Sequence, residues 1–431
     1  MKEPLNYTLT AKFDATSADS KTIKDTLAIL DERALTLKPG KLQSKSIPYF
    51  KILKIDDEDY SVVLKDISGE TIKLTQIGYE YENFLLNLYK NRGEQLLRYT
   101  LMDEKNLAKD IAAHFAYTDE EGNYLDGACE ARIYESAIVI LPKKADPIRI
   151  PLCYIQNHVL EDYVTKIESS FGEQITLTMM GEKTDYLTRV LSKAMKDMYD
   201  RATNILNEAA PGVSQGKIME AARILGDGIA ASKKQLETIS PELWRCLENM
   251  IKQTDIGEEY THLAGRNESD VWIGLKRGLM GERTGSYVWF IVPIYDLNPA
   301  KPGNAVVLEA TSSEEVGRAT YLFRMMDRPA YNSGLGIEEM KEAASSFIRK
   351  ANRCMIEINF RREPIYLAME RLNQPEYEQY LYAANKLKPL QFLRERYIGR
   401  VAHTTIEQWK NNLGEFLKFN VESQSDSDKW R

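Results

Sequence analysis

The chain is poor in the residues and patterns that announce chemistry. Its four cysteines, Cys129, Cys153, Cys246 and Cys354, are widely spaced and form no C-x-x-C pair, which argues against a disulfide scaffold. No secretory signal follows Met1-Lys2-Glu3-Pro4, so a reducing, cytoplasmic setting is expected. No apolar run approaches the length needed to span a bilayer. The histidines, His114, His158, His262 and His403, are dispersed without an HExxH or other paired spacing. No metal site can be assembled locally from them, none is expected, and each reads as structural or surface. There is no G-x-S-x-G elbow, and Cys246 and Cys354 lie in apolar periodic segments where packing is the default role. With 57 Lys+Arg against 64 Asp+Glu, the net charge of −7 removes any general attraction for nucleic acid or anionic membrane. Such binding would need a local patch.

What the chain does have is an internal duplication. The stretch from Ala28 to Gly78 matches that from Ala131 to Gly181 without a gap at a shift of 103 residues, with 17 identities in 51 pairs. Ordinary composition would give roughly one in fifteen. Ala28, Glu32, Ala34 and Pro39 fall on Ala131, Glu135, Ala137 and Pro142, and Ile47-Pro48 falls on Ile150-Pro151. Glu58-Asp59-Tyr60, Gly69-Glu70 and Gly78 fall on Glu161-Asp162-Tyr163, Gly172-Glu173 and Gly181. Self-similarity at one period defines the architectural unit. The matched positions are mostly turn and core residues, so a shared fold is expected. The loops diverge, Lys54-Ile55-Asp56-Asp57 becoming Asn157-His158-Val159-Leu160, so a shared ligand is not.

Each copy reads as short strands closed by one helix. In the first, strands are expected at Thr26 to Leu30 and Ala34 to Leu37 around a tight turn at Asp31-Glu32, then at Ile47 to Ile55, Tyr60 to Lys65 and Thr71 to Thr75. In the second they fall at Ala131 to Ile133, Ala137 to Leu141, Ile148 to Ile155, Tyr163 to Ile167 and Gln174 to Met179. After Gly78, apolar residues at Phe84, Leu85, Leu88 and Tyr89 take helical spacing; after Gly181, Leu187, Val190, Leu191, Ala194 and Met198 do the same. Strand order with a closing helix after a glycine resembles the pleckstrin-homology-like superfold, over roughly residues 5 to 205 as two copies. That resemblance implies a bent barrel capped by a C-terminal helix, and a sheet edge and loops suited to a protein or peptide partner. A plain α+β sandwich repeat is the competing arrangement.

The expected class is therefore α+β. Residues 1–103 and 104–208 form the two repeats, 209–256 a helical connector, 257–360 an α+β domain, 361–420 C-terminal helices, and 421–431 a disordered tail. Ser240-Pro241 is a well-formed helix start. Ala319 to Met325 is β-prone at Thr320-Tyr321-Leu322-Phe323, although Ser312 and Glu315 could open a helix there, and Met355 to Phe360 is a further candidate strand.

Few residues suggest a site. Gly274, Gly278, Gly281 and Gly285 cluster with Lys276, Arg277 and Arg283, a mixture that could cradle an anion, although the Walker ending is missing and a hairpin connection is the commoner explanation. Lys143, Lys144 and Arg149 in the second copy, with Lys38 and Lys41 in the first, could meet an anionic lipid. Arg394, Arg396, Tyr397 and Arg400, among further cations and tyrosines, could hold a nucleic acid, yet interspersed glutamates make a salt-bridged surface the commoner outcome. Glu309, among apolar neighbours, could work with Asp296 or Asp270 on a divalent ion in a hydrolase; strand alternation favours a solvated edge glutamate instead. No catalytic residue and no cofactor is assigned. The expectation is a noncatalytic binding or scaffold protein that recognises a protein or peptide, with a phosphate-acting hydrolase in 257–360 and a nucleic-acid binder as alternatives.

Overall fold

The computed structural model describes residues 3–14, 21–40, 43–101, 104–279, 282–312 and 319–422. Lys41, Gly281, Glu315 and all but the first two residues of the expected tail lie outside them. The fold is mixed α+β with three antiparallel sheets. The chain divides into two compact units: Met1–Ala194 with Leu367–Leu387, and Met195–Tyr366 with Lys388–Arg431. Among the described residues no helix is long and apolar enough to cross a membrane.

The first unit holds β1 (Leu5–Asp14), β2 (Lys21–Leu30), β3 (Ala34–Lys38), β4 (Lys45–Pro48), β5 (Ile52–Glu58), β6 (Ser61–Asp66), β7 (Thr71–Thr75) and α1 (Tyr81–Leu101). It continues with β8 (Asn106–Thr118), β9 (Tyr124–Tyr134), β10 (Ala137–Pro142), β11 (Ile148–Pro151), β12 (Ile155–Glu161), β13 (Val164–Ser169) and β14 (Gln174–Thr178), before α2 (Lys183–Ala209) begins. One sheet runs β4-β3-β2-β1-β7-β6-β5 and the other β11-β10-β9-β8-β14-β13-β12, the same order. From β3 to β7 every strand start recurs 103 residues on, at β10 to β14. The hairpin expected at Asp31-Glu32 is present, with Leu30 opposite Leu35. Strands β1 and β8, which precede the matched stretch, occupy the middle of their sheets.

Among the described residues neither sheet is closed by a hydrogen-bond ladder. In a flat seven-stranded sheet, six steps of about 4.8 Å would hold the edge strands β4 and β5 nearly 30 Å apart. Yet one short turn, Tyr49–Lys51, joins them, a reach of about 14 Å at most. The sheet must therefore bend strongly round its core, and the same argument holds for β11 and β12 across Leu152–Tyr154. Phe84, Leu85 and Leu88 of α1 are fully buried in the core of the first sheet, and each contributes about 1.5–3 kcal/mol by leaving water. Backbone strain recurs with the sequence. Asp59 and Tyr60 at the β5–β6 turn have φ of 48° and 55°, and Asp162 and Tyr163 at the β12–β13 turn have 49° and 64°. Two consecutive left-handed residues suit the twist of a two-residue hairpin, and aspartate tolerates the conformation, but Tyr60 and Tyr163 adopt it at a cost.

The second unit carries α3 (Gln215–Ile224), α4 (Lys233–Ile239), α5 (Pro241–Lys252) and α6 (Gly257–Ala264). Its sheet comprises β15 (Ala231–Ser232), β16 (Trp272–Leu279), β17 (Glu282–Ile294), β18 (Ala305–Ser312), β19 (Ala319–Arg324) and β20 (Tyr397–Ala402), paired in sequence order. Ser240 caps α5 as expected, accepting from the Leu243 amide with Pro241 in the first turn. Ala319–Arg324 is a strand, as its β-prone composition implies. Met355 to Phe360 is not: the helix Ile337–Glu357 takes its first half and turns follow. A short apolar run has no period long enough to separate a buried strand from a buried helix end. Tyr397–Ala402 departs from the helical expectation in the other direction, pairing with β19 through Thr320 opposite Val401. Ile398 and Val401 face the core while Arg400 faces out.

Candidate functional site

In the first unit, α1 serves both sheets. Its inner face belongs to the first core, while Gly93 lets it approach the second sheet so closely that an added Cβ would stand 3.2 Å from Leu141. Arg92, one residue away and 1% exposed, donates to the Ile52 carbonyl at 3.1 and 2.8 Å and grips Asp146 in the β10–β11 loop. The Tyr382 hydroxyl donates to the same carboxylate at 3.0 Å. Burial raises the Tyr382 pKa, and Asp146 raises it further. On the other flank, Arg132 of β9 donates to Glu94 at 2.6 and 3.0 Å and to Glu130 at 2.6 Å.

Between α1 and the second sheet these contacts leave a groove with a cavity of about 380 Å³ and an adjoining lobe of about 360 Å³. Leu86, Tyr89, Ala112, Cys129, Leu141 and Pro142 supply its apolar lining. Lys90, Lys143, Glu94, Asp110 and Glu130 supply charge of both signs. Burial, with Glu130 adding to it, pushes the Cys129 thiol up to about 12, and burial first pushes the Tyr89 phenol up to about 12. Both groups are neutral at ordinary pH, so they add no charge to that of the lysines and carboxylates lining the groove. This is the mixture of apolar walls and a few polar groups that binding clefts present.

The second unit holds a different cluster, built by β18, β19, α6 and the segment after β20. Glu309 is fully buried. Its solvated-edge reading fails because β18 lies between β17 and β19 and is covered on both faces, so alternation along the strand carries no exposure. Thr320 donates to its Oε2 at 2.7 Å, and the Trp409 indole donates to Thr320 at 2.9 Å. His403 Nε2 lies 2.6 Å from Glu309 Oε1, and Nδ1 lies 3.6 Å from Glu259. Burial raises the Glu259 pKa; Glu309 adds to this, while backbone hydrogen bonding and His403 oppose it. Both ring nitrogens of His403 thus face carboxylates, a poor arrangement for receiving a substrate proton. Asp296 and Asp270 take other partners, Lys301 at 3.2 Å and the Trp272 indole at 2.8 Å. Among the described residues no group of three or more His, Cys, Asp or Glu could hold a metal ion.

The other expected site residues are scattered. Lys276 is buried, 3.2 Å from Asp227 and 5.2 Å from the Phe360 ring centre. Arg277 and Arg283 fall on β16 and β17, joined as a hairpin, with their side chains outside the described residues. Lys143 lines the groove, Lys144 sits 3.0 Å from Glu82 and 4.0 Å from Asp57, and Arg149 donates to Ser136 at 3.3 Å. Arg394 donates to the Pro364 carbonyl, Arg396 pairs with Asp327 at 2.8 Å, and Arg400 lies over Tyr366 at 4.4 Å. Tyr397 meets the Phe323 ring edge at 5.9 Å. Arg92, Asp146 and Tyr382, and likewise Glu259, Thr320, His403 and Trp409, were not singled out by sequence. Their separations of tens to hundreds of residues leave no local spacing to find.

No family model matches the chain, and no curated protein matches it.

Proposed function

We propose that the protein is a noncatalytic binding protein whose first unit, a tandem resembling pleckstrin-homology-like domains, takes a peptide segment of a protein partner in the groove between α1 and the second sheet. The groove carries this reading: its apolar walls with charge of both signs suit a side-chain-bearing peptide. Seven strands followed by a helix, bent round a core, support the family likeness. The seating of His403 between two carboxylates weighs against the hydrolase alternative.

Selection of displayed random peptides on the full chain tests it. Enriched peptides are expected to lose binding to Leu86→Trp, because half-buried Leu86 lines both lobes. No enrichment, or equal binding to a Leu86→Trp variant with unchanged melting temperature, overturns it.

A further inference from the structure

We infer that the β5–β6 hairpin tip and the residues opening α1 form the mouth of this groove and receive an extended partner segment bearing lysine or arginine. This deepens the groove reading and rests on it. Tyr60 is 80% exposed and Tyr79 fully exposed. The Tyr60 and Tyr81 rings meet edge-on, 5.5 Å between centres. These uncovered rings are open to a partner's side chains.

Charge decides what covers it. Asp56, Asp57, Glu58 and Asp59 lie along the hairpin, and Glu80 and Glu82 alternate with the other two tyrosines. Lys54 and Lys144 are close by, but Lys54 pairs with Asp56 at 2.7 Å and Lys144 with Glu82 at 3.0 Å. The surface therefore remains negative. Tyrosine faces attract ammonium and guanidinium groups, and the carboxylates beside them add charge-assisted acceptors. An acidic segment would meet repulsion at the same place. Glu82 and Lys144 also line the adjoining lobe, so mouth and groove are continuous. The occupant sets apolar side chains in the groove and its cations among the tyrosines.

The second copy provides an internal control. Tyr163 stands at the same turn position and is 77% exposed. However, Val159 and Leu160 occupy the places of Asp56 and Asp57.

Two dye-labelled peptides test the inference by anisotropy with the full chain. One carries lysines around a pair of leucines in a glycine-serine background, and the other has glutamate at each lysine position. The lysine peptide is expected to bind, more weakly as salt rises, and the glutamate peptide not to bind. Tyr60→Ser should weaken the lysine peptide about tenfold, while Tyr60→Phe and Tyr163→Ser leave it unchanged. Equal binding of the two peptides, or wild-type affinity in Tyr60→Ser, overturns the inference. If display-selected peptides still require Leu86 while the lysine peptide ignores Tyr60→Ser, this inference falls and the groove reading stands.

Discussion

Arg92, buried on the helix that closes the first sheet, holds Asp146 in a loop of the second. The carboxylate also receives the Tyr382 hydroxyl, so one ion pair joins both repeats to the returning segment Leu367–Leu387 within a single unit. Arg92 is buried while the Asp146 side chain is 36% exposed, so removing the carboxylate leaves a buried guanidinium uncompensated. Asp146→Ala is expected to destabilise the first unit by about 2 kcal/mol, less than for a fully buried pair, read by urea unfolding under circular dichroism. Tyr382→Phe should cost about 1 kcal/mol, one hydrogen bond. An unchanged urea midpoint in Asp146→Ala would remove the clamp from the account.

Thr320 is the hinge of the second cluster, since its hydroxyl both donates to Glu309 and accepts from Trp409. Thr320→Val keeps the shape and strips these contacts, together with the 3.2 Å approach of His403 Nε2. A loss of about 3 kcal/mol is expected, because a buried carboxylate and a buried indole N–H lose their partner together. Differential scanning calorimetry should show it in one transition; a neutral result would mean that water enters the cluster.

Glu259 makes stability depend on pH. Burial raises its folded-state pKa above the unfolded value, so the folded protein holds this proton more tightly. The resulting stability is complete below the unfolded carboxylate pKa and is lost as pH rises through the raised folded value. Relative to wild type, Glu259→Gln is expected to gain stability between about pH 4 and pH 7. Parallel urea titrations at the two pH values check the sign, and a gap that narrows with rising pH would contradict it.

The exposed turn tyrosine stores strain. With φ of 55° at Tyr60, Tyr60→Gly should stabilise the protein by about 1 kcal/mol through relief of the left-handed backbone. The same variant should lose the lysine peptide. Thermal melting and anisotropy on one sample measure both, and a destabilised Tyr60→Gly would show that the Tyr60–Tyr81 contact outweighs the strain.

Much of the first unit was legible because a repeat carries its own check. Gly69 and Gly172, and Asp59-Tyr60 and Asp162-Tyr163, recur in sequence and again in backbone conformation. Strands β1 and β8 escaped because they lie outside the matched stretch. Glu309 was visible as a residue, but its exposure was misjudged: period two assigns faces to a strand without saying whether the second face is covered. β20 was hidden by helical sequence on either side, and only its pairing with β19 makes it a strand.

Sequence by itself determined the period of the duplication, the turns that repeat with it and the helices that end each copy, because these follow from local backbone preference and apolar spacing. Tertiary structure alone decided which carboxylates are buried, that α1 serves two sheets through Gly93 and Arg92, and that Glu259, Glu309 and His403 meet. Those outcomes depend on desolvation and long-range pairing, which arise only when distant segments are brought together.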